Sequence, residues 1–338
     1  MKISECIKSM PKLLKMGEPF VYVGEPGCGK SDALNYADQL GWRLLWFHPV
    51  VSDPTDFKGM PFAFMQGDQP KAKFLPFNDL EDLVTAQEKT LAVFDDLGQG
   101  PLAVQAAMMQ LWLARRINGH RVSDNVVFAG ATNRCEDKAA VAGMIEPLKS
   151  RCTLIPFETD LNDWCEWAYE KEWMPAEIPA FLRFKTELLS KFEPTRDMKN
   201  SPNPRNWARV GNLLHHGLDN HELIAGCVGE GAAAEFIAFK RIMDDLPNPD
   251  AILKDPAKAE VPDNKPAVMY ALMGALSHRA KPSTAKALVH YLGRVPKEFS
   301  VLCMKDSLAK NKKNTAFRRH EAITDWSLDH AEVLCVAT

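Results

Sequence analysis

The chain has 338 residues, 46% of them hydrophobic and 25% charged, with a net charge of −3. That length suits an α/β core with smaller helical units rather than one compact ball. The charge gives no general attraction for polyanions, and no apolar run approaches the roughly 20 residues that would span a bilayer. The first twenty residues, MKISECIKSMPKLLKMGEPF, scatter lysines through the segment and lack the continuous apolar stretch of a secretory signal, so a cytoplasmic protein is expected. Eight widely spaced cysteines form no CxxC pair and no Cys/His group at zinc spacing. Reduced, mostly buried thiols follow.

In chain order, the first half alternates short β-rich runs with helical stretches, as a parallel sheet covered by helices requires. The runs are PFVYVG (19–24), RLLWFHPV (43–50), TLAVFDD (90–96), VVFAGATN (126–133) and CTLIPF (152–157). They are nearly continuous apolar segments, as strands buried on both faces must be. From residue 158 onward the β signal disappears and apolar residues recur at helical spacing, so a helical second domain is expected over 158–245. The prolines of DDLPNPDAILKDPAKAEVPDNKP (244–266) favour extended structure, so residues 246–338 read as a proline-rich connector followed by a helical C-terminal extension. Residues 1–157 form the expected α/β core.

The segment GEPGCGKS, Gly24 to Ser31, fits GxxxxGK[ST], in which backbone N–H groups curl around phosphates while a lysine and a hydroxyl reach phosphate and Mg²⁺. It leaves a β run and enters the helical pattern SDALNYADQL, which aims a helix N-terminus at the phosphates. Gly24, Glu25, Pro26, Gly27, Cys28, Gly29, Lys30, Ser31 and Asp32 are therefore the candidate ATP-binding residues. LAVFDDLGQG ends an apolar strand on two acids: Asp95 is the candidate Mg²⁺ ligand, with Ser31, and Asp96 the group that polarises water. Two capping aspartates are the alternative reading.

In this order, these segments resemble the AAA+ superfamily and, within it, the MoxR-like ATPases, over roughly residues 15–215. DPTDFKGMPF (53–62) resembles the Asp-x-x-Gly segment that leads into that family's hairpin insertion, and PLAVQAAMMQLWLARRINGHRV (101–122) its following helix and hairpin. FAGATNR (128–134) resembles the sensor-1 strand, which implies that Asn133 holds the attacking water or the γ-phosphate. EPLKSRC (146–152) resembles the segment ending in the arginine finger, implying that role for Arg151, with Arg116 its rival. SPNPRNWARV (201–210) resembles the sensor-2 motif of a helical lid and makes Arg205 a γ-phosphate contact.

The fold implied is a P-loop NTPase (AAA+) three-layer α/β core with a five-stranded parallel sheet, an α-helical lid and a helical extension. The resemblance further implies a hexameric ring that hydrolyses ATP with Mg²⁺ and remodels or matures a partner protein, often one carrying a von Willebrand factor A domain. The family usually has Glu where this chain has Asp96. The shorter acid implies slow hydrolysis, and leaves open a nucleotide-gated scaffold that barely turns over.

Three features stay outside that core. MPFAFMQGD, with Phe62, Phe64 and Met65, reads either as an exposed gripping hairpin or as a locally buried one. Lys305, Lys310, Lys312, Lys313, Arg318 and Arg319 gather in residues 305–320, either as a solvated helical face or as a phosphate-backbone surface of a DNA-associated factor. His215, His216, Trp164, Trp167 and Trp173 read as packing residues of the lid.

Overall fold

Five of the strands form one parallel sheet in this computed structural model, which describes residues 1–137, 143–193, 197–244, 246–262 and 265–332. The chain divides into two compact units, Met1–Thr159 and Asp160–Thr338.

The first unit begins with α1 (Ile3–Met16), which buries Cys6, Met10 and Leu14 on one face, at the i, i+4 spacing of a helix. It continues through β1 (Phe20–Gly24), α2 (Lys30–Gln39), β2 (Arg43–Phe47) and α3 (Pro54–Lys58). A hairpin, β3 (Met60–Gln66) and β4 (Gln69–Leu75), leads into α4 (Asn78–Thr85) and β5 (Thr90–Phe94). Then come α5 (Leu102–Ala114), a short second hairpin β6 (Arg116–Ile117) and β7 (His120–Arg121), β8 (Val126–Asn133), α6 (Glu146–Lys149) and β9 (Thr153–Pro156).

The sheet order is β2-β5-β8-β1-β9. Its two faces bury different residues of the same strands. Val21, Ala92, Phe94 and Phe128 pack with α5 on one side, whereas Phe20, Tyr22, Leu91, Val93 and Ala129 pack with α1 and α2 on the other. Three layers result. Phe94 is the hinge of the first face: it stacks on Phe47 at 4.7 Å between centroids and meets Trp112 edge-on at 5.4 Å. Each such buried aromatic is worth roughly 1.5–3 kcal/mol of burial, plus about 0.5–1.5 kcal/mol for a well-set ring pair. The register places Gly24 of β1 directly beside Asn133 of β8, so the strands end level at their C-terminal edge.

The β3–β4 hairpin pairs from Met60↔Leu75 to Gln66↔Gln69 and projects Met60, Phe62, Met65 and Phe74 into solvent. The exposed alternative is the one the chain adopts. Side chains of the second hairpin hold its base: Asn118 Nδ2 donates to the Lys58 carbonyl at 2.7 Å, and His120 Nε2 lies 2.7 Å from the Phe74 carbonyl.

The second unit is helical: α7 (Leu161–Tyr169), α8 (Glu177–Phe184), α9 (Pro204–His215), α10 (His221–Val228), α11 (Glu230–Asp244), α12 (Pro249–Lys254), α13 (Pro266–His278), α14 (Ala285–Leu292), α15 (Lys297–Lys310), α16 (Thr315–Arg318) and α17 (Glu321–Asp329). Helix α13 packs against α8 and α11 as well as α15, joining the helices before and after the proline-rich stretch. That stretch is not wholly extended. Asn248 accepts a hydrogen bond from Asp250 N at 2.9 Å and Pro249 occupies the first helical turn, where a missing N–H is harmless, so α12 forms inside it. A buried ion pair staples α8 to α15: Arg183 Nη2 lies 2.8 Å from Asp306 Oδ1, and Tyr169 Oη donates to the other carboxylate oxygen at 2.9 Å.

All cysteines of the described residues are free; Cys6, Cys28, Cys165 and Cys303 are buried, Cys135 is exposed, and Cys335 lies outside the described residues. The 305–320 segment is not one helical face, since a turn separates α15 from α16, and Lys312 pairs with Glu170 at 3.1 Å. Trp164 is buried, while Trp167 packs at 5.9 Å from it and 6.1 Å from Trp173. His215 and His216 meet edge-on. Among the described residues, no helix is long and apolar enough to cross a membrane.

Candidate nucleotide-binding site

The loop between β1 and α2 is shaped by its glycines. Gly29, at φ 101°, sits at the N-cap of α2 in a conformation that L side chains rarely adopt. A Cβ on Gly24 would come within 2.5 Å of the Phe157 carbonyl oxygen. Helix α2, ten residues long, then presents its N-terminal N–H groups toward the loop, the geometry that attracts phosphate.

Lys30 is only 7% exposed. Its ammonium donates to the Glu25 carbonyl at 2.7 Å, to Asn133 Oδ1 at 2.9 Å and to the Gly24 carbonyl at 3.0 Å. Burial lowers its pKa, an effect opposed by Cys28, Asp96 and Asp95 nearby. Burial likewise pushes the Cys28 thiol up, while Lys30 draws it down. Ser31 Oγ donates to the Asp95 carboxylate, 3.0 Å from Oδ2 and 3.2 Å from Oδ1. Thus the ends of β1, β5 and β8 bring Lys30, Ser31, Asp95 and Asn133 together, at the carboxyl edge where α/β sheets bind ligands.

A hydroxyl beside a carboxylate is a hard oxygen donor set of the kind Mg²⁺ takes, with its remaining positions left to water and phosphate oxygens. No group of three or more His, Cys, Asp or Glu side chains that could hold a metal occurs among the described residues.

Asp96 occupies the left-handed region, φ 53° and ψ 36°. Its backbone N–H donates to Asp95 Oδ1 at 3.1 Å, and the turn is braced where Gly98 N–H donates to Thr132 Oγ1 at 3.1 Å. A non-glycine residue with its backbone held in a sparsely populated region at the end of the acidic strand is a position of the sort functional sites retain.

The candidate arginines are placed differently. Arg151 follows α6 and folds back on its own turn, its guanidinium donating to the Pro147 carbonyl. Gln105 braces that segment from α5: its amide donates to the Gly143 carbonyl at 3.0 Å and accepts from Ile145 N–H at 2.9 Å. Arg116 is exposed in β6. Arg205 is exposed in the first turn of α9, which Asn203 caps by accepting from Asn206 N–H at 2.9 Å. Arg134 stood unremarked in the sequence beside Asn133, yet its guanidinium reaches Glu25 Oε1 of the loop at 2.9 Å. No local pattern announces a partner 109 residues away.

No protein-family model matches the chain, and no curated protein sequence matches it. Among solved structures, it is similar to a point mutant of RuvB from Thermotoga maritima at 14% identity, covering 81% of each chain with a TM-score of 0.41. It is also similar to NtrX from Brucella abortus, solved in complex with ATP, at 11% identity, covering 98% of this chain and 68% of that one with a TM-score of 0.42. At these values the likeness carries no functional statement about this chain.

Proposed function

We propose that this chain is an ATP-binding and ATP-hydrolysing AAA+ ATPase of the MoxR-like type, a cytoplasmic ring-forming motor that remodels or matures a partner protein. The observation that carries the reading is the convergence of Lys30, Ser31, Asp95 and Asn133 at the sheet's carboxyl edge, with Lys30 bonded to Asn133 at 2.9 Å and Ser31 to Asp95 at 3.0 Å. A phosphate chain would take the Lys30 ammonium and the α2 N-terminus, Mg²⁺ would supply charge neutralisation beside Ser31 and Asp95, and Asp96 and Asn133 would orient water. Since phosphoryl transfer needs positioning and charge stabilisation more than covalent chemistry, this set suffices on one subunit except for an arginine on the γ-phosphate.

Arg151 is the group we assign to that task across a subunit boundary, and Arg205 the lid contact. The exposed β3–β4 hairpin, with Phe62 and Met65 in solvent, supports engagement of a polypeptide partner. Light scattering with and without ATP, alongside phosphate release, tests the reading on wild type and Arg151→Ala. ATP-promoted hexamers in both proteins, with release in wild type alone, is the expected result. A monomer that hydrolyses equally well in both refutes the ring, and rings that bind ATP without release favour the scaffold.

A further inference from the structure

Two consecutive residues at the end of β8 grip two points of the phosphate loop. Asn133 takes the Lys30 ammonium at 2.9 Å, and Arg134 takes the Glu25 carboxylate at 2.9 Å. Arg134 is itself anchored. Its Nη2 lies 2.7 Å from Asp137 Oδ1, its Nε and backbone N–H lie 3.1 and 3.2 Å from Asp137 Oδ2, and Glu136 Oε1 stands 3.1 Å from Nε. Asp137 is 5% exposed, so this guanidinium is held by a buried, multiply bonded carboxylate and cannot roam as a surface arginine does. The tether to Glu25 is partly in water, at 37% and 31% exposure, which bounds it to a modest energy.

The arrangement has a mechanical meaning. Glu25 is the first residue after β1, and its carbonyl already receives the Lys30 ammonium at 2.7 Å. Its backbone thus fixes the lysine while its side chain is fixed by Arg134. Releasing the side chain frees the loop's shoulder to shift, and takes the guanidinium away from a carboxylate close to where a triphosphate would lie.

We propose that Arg134 is a positioning residue for ATP, anchored on Asp137, which holds Glu25 and with it the entrance of the phosphate loop against the end of β8. The inference rests on the nucleotide-binding reading above and extends it to a residue outside the loop. Arg134 does its work through Glu25.

The test is a double-mutant cycle on the full chain, with affinity for a fluorescent ATP analogue and steady-state kcat and KM measured for wild type, Glu25→Gln, Arg134→Gln, the double variant and Arg134→Lys. A coupling of this type corresponds to about two- to fivefold in affinity. Expected is a rise of that order in Kd for each single variant and no further rise in the double. Arg134→Lys, which keeps the charge but loses the fork spanning Asp137 and Glu25, should fall between wild type and Arg134→Gln. Thermal melting accompanies each. If Arg134→Gln fails to fold, Glu25→Gln severs the same tether from the other side and keeps the Asp137 anchor, so its Kd decides. Effects that multiply in the double variant, or an unchanged Kd in folded Glu25→Gln, overturn the inference and leave the nucleotide-binding reading standing. A wild type that binds no analogue removes both.

Discussion

Asp96 is where stability and activity should separate. Its φ of 53° and ψ of 36° place an L residue in a region that costs roughly 1–2 kcal/mol, less for Asp or Asn than for Ala. Replacing it by glycine, alanine and asparagine therefore gives a ranked series. Asp96→Asn keeps a residue tolerant of this conformation and should melt within about 0.5 kcal/mol of wild type. Asp96→Ala should be less stable than Asp96→Gly by about 1 kcal/mol, because glycine alone carries no Cβ penalty there. For a unit the size of Met1–Thr159, that difference is about 2–4 °C in melting temperature.

All three variants retain Lys30, Ser31 and Asp95 and should still bind ATP, while phosphate release should fall about 10²- to 10⁴-fold, the usual contribution of a positioned general base. Calorimetric melting and single-turnover phosphate release measure the two axes. Alanine as stable as glycine would show that the left-handed turn is not retained in solution. Turnover preserved in Asp96→Asn would remove Asp96 as the water-polarising group. Asp96→Glu is informative in the other direction: lower turnover than wild type would show a site built around the shorter acid.

Three further outcomes follow from the geometry. Because burial lowers the Lys30 pKa in the folded protein, its ammonium destabilises the ligand-free chain below the folded pKa, and stability is regained as pH rises from there toward the unfolded value of about 10.4. Melting temperatures measured over alkaline pH should therefore rise in wild type relative to Lys30→Met, and parallel curves would contradict this. Chelation of divalent cations should abolish hydrolysis, and Ser31→Ala should demand far more Mg²⁺ for the same rate; an unshifted Mg²⁺ titration would remove Ser31 from the metal's ligands. In the second unit, Asp306→Ala strands the buried Arg183 and should cost about 3–5 kcal/mol in urea unfolding, most of it recovered when Arg183→Met is added. Additive losses would mean that the pair is not a buried unit.

Much of the first unit was legible in the sequence, because strands buried on both faces must be apolar and a phosphate loop must be glycine-rich, both properties of short stretches. The runs at 19–24, 43–50, 90–96, 126–133 and 152–157 contain the five strands of the parallel sheet, and GEPGCGKS contains the turn from β1 into α2. Local chemistry misled in the proline-rich stretch, where Pro249 starts a helix instead of preventing one. Exposure of the β3–β4 hairpin was undecided, since the same apolar residues Phe62, Phe64 and Met65 would serve a buried ribbon, and only the tertiary arrangement around it settles the matter. The partners that make the site were likewise invisible. Strand order puts β8 between β5 and β1, and that order alone brings Asn133 to Lys30 across 103 residues, Asp95 to Ser31 across 64, and Arg134 to Glu25 across 109. Local sequence specifies backbone conformation and burial period; which side chains meet is decided by how the strands are threaded.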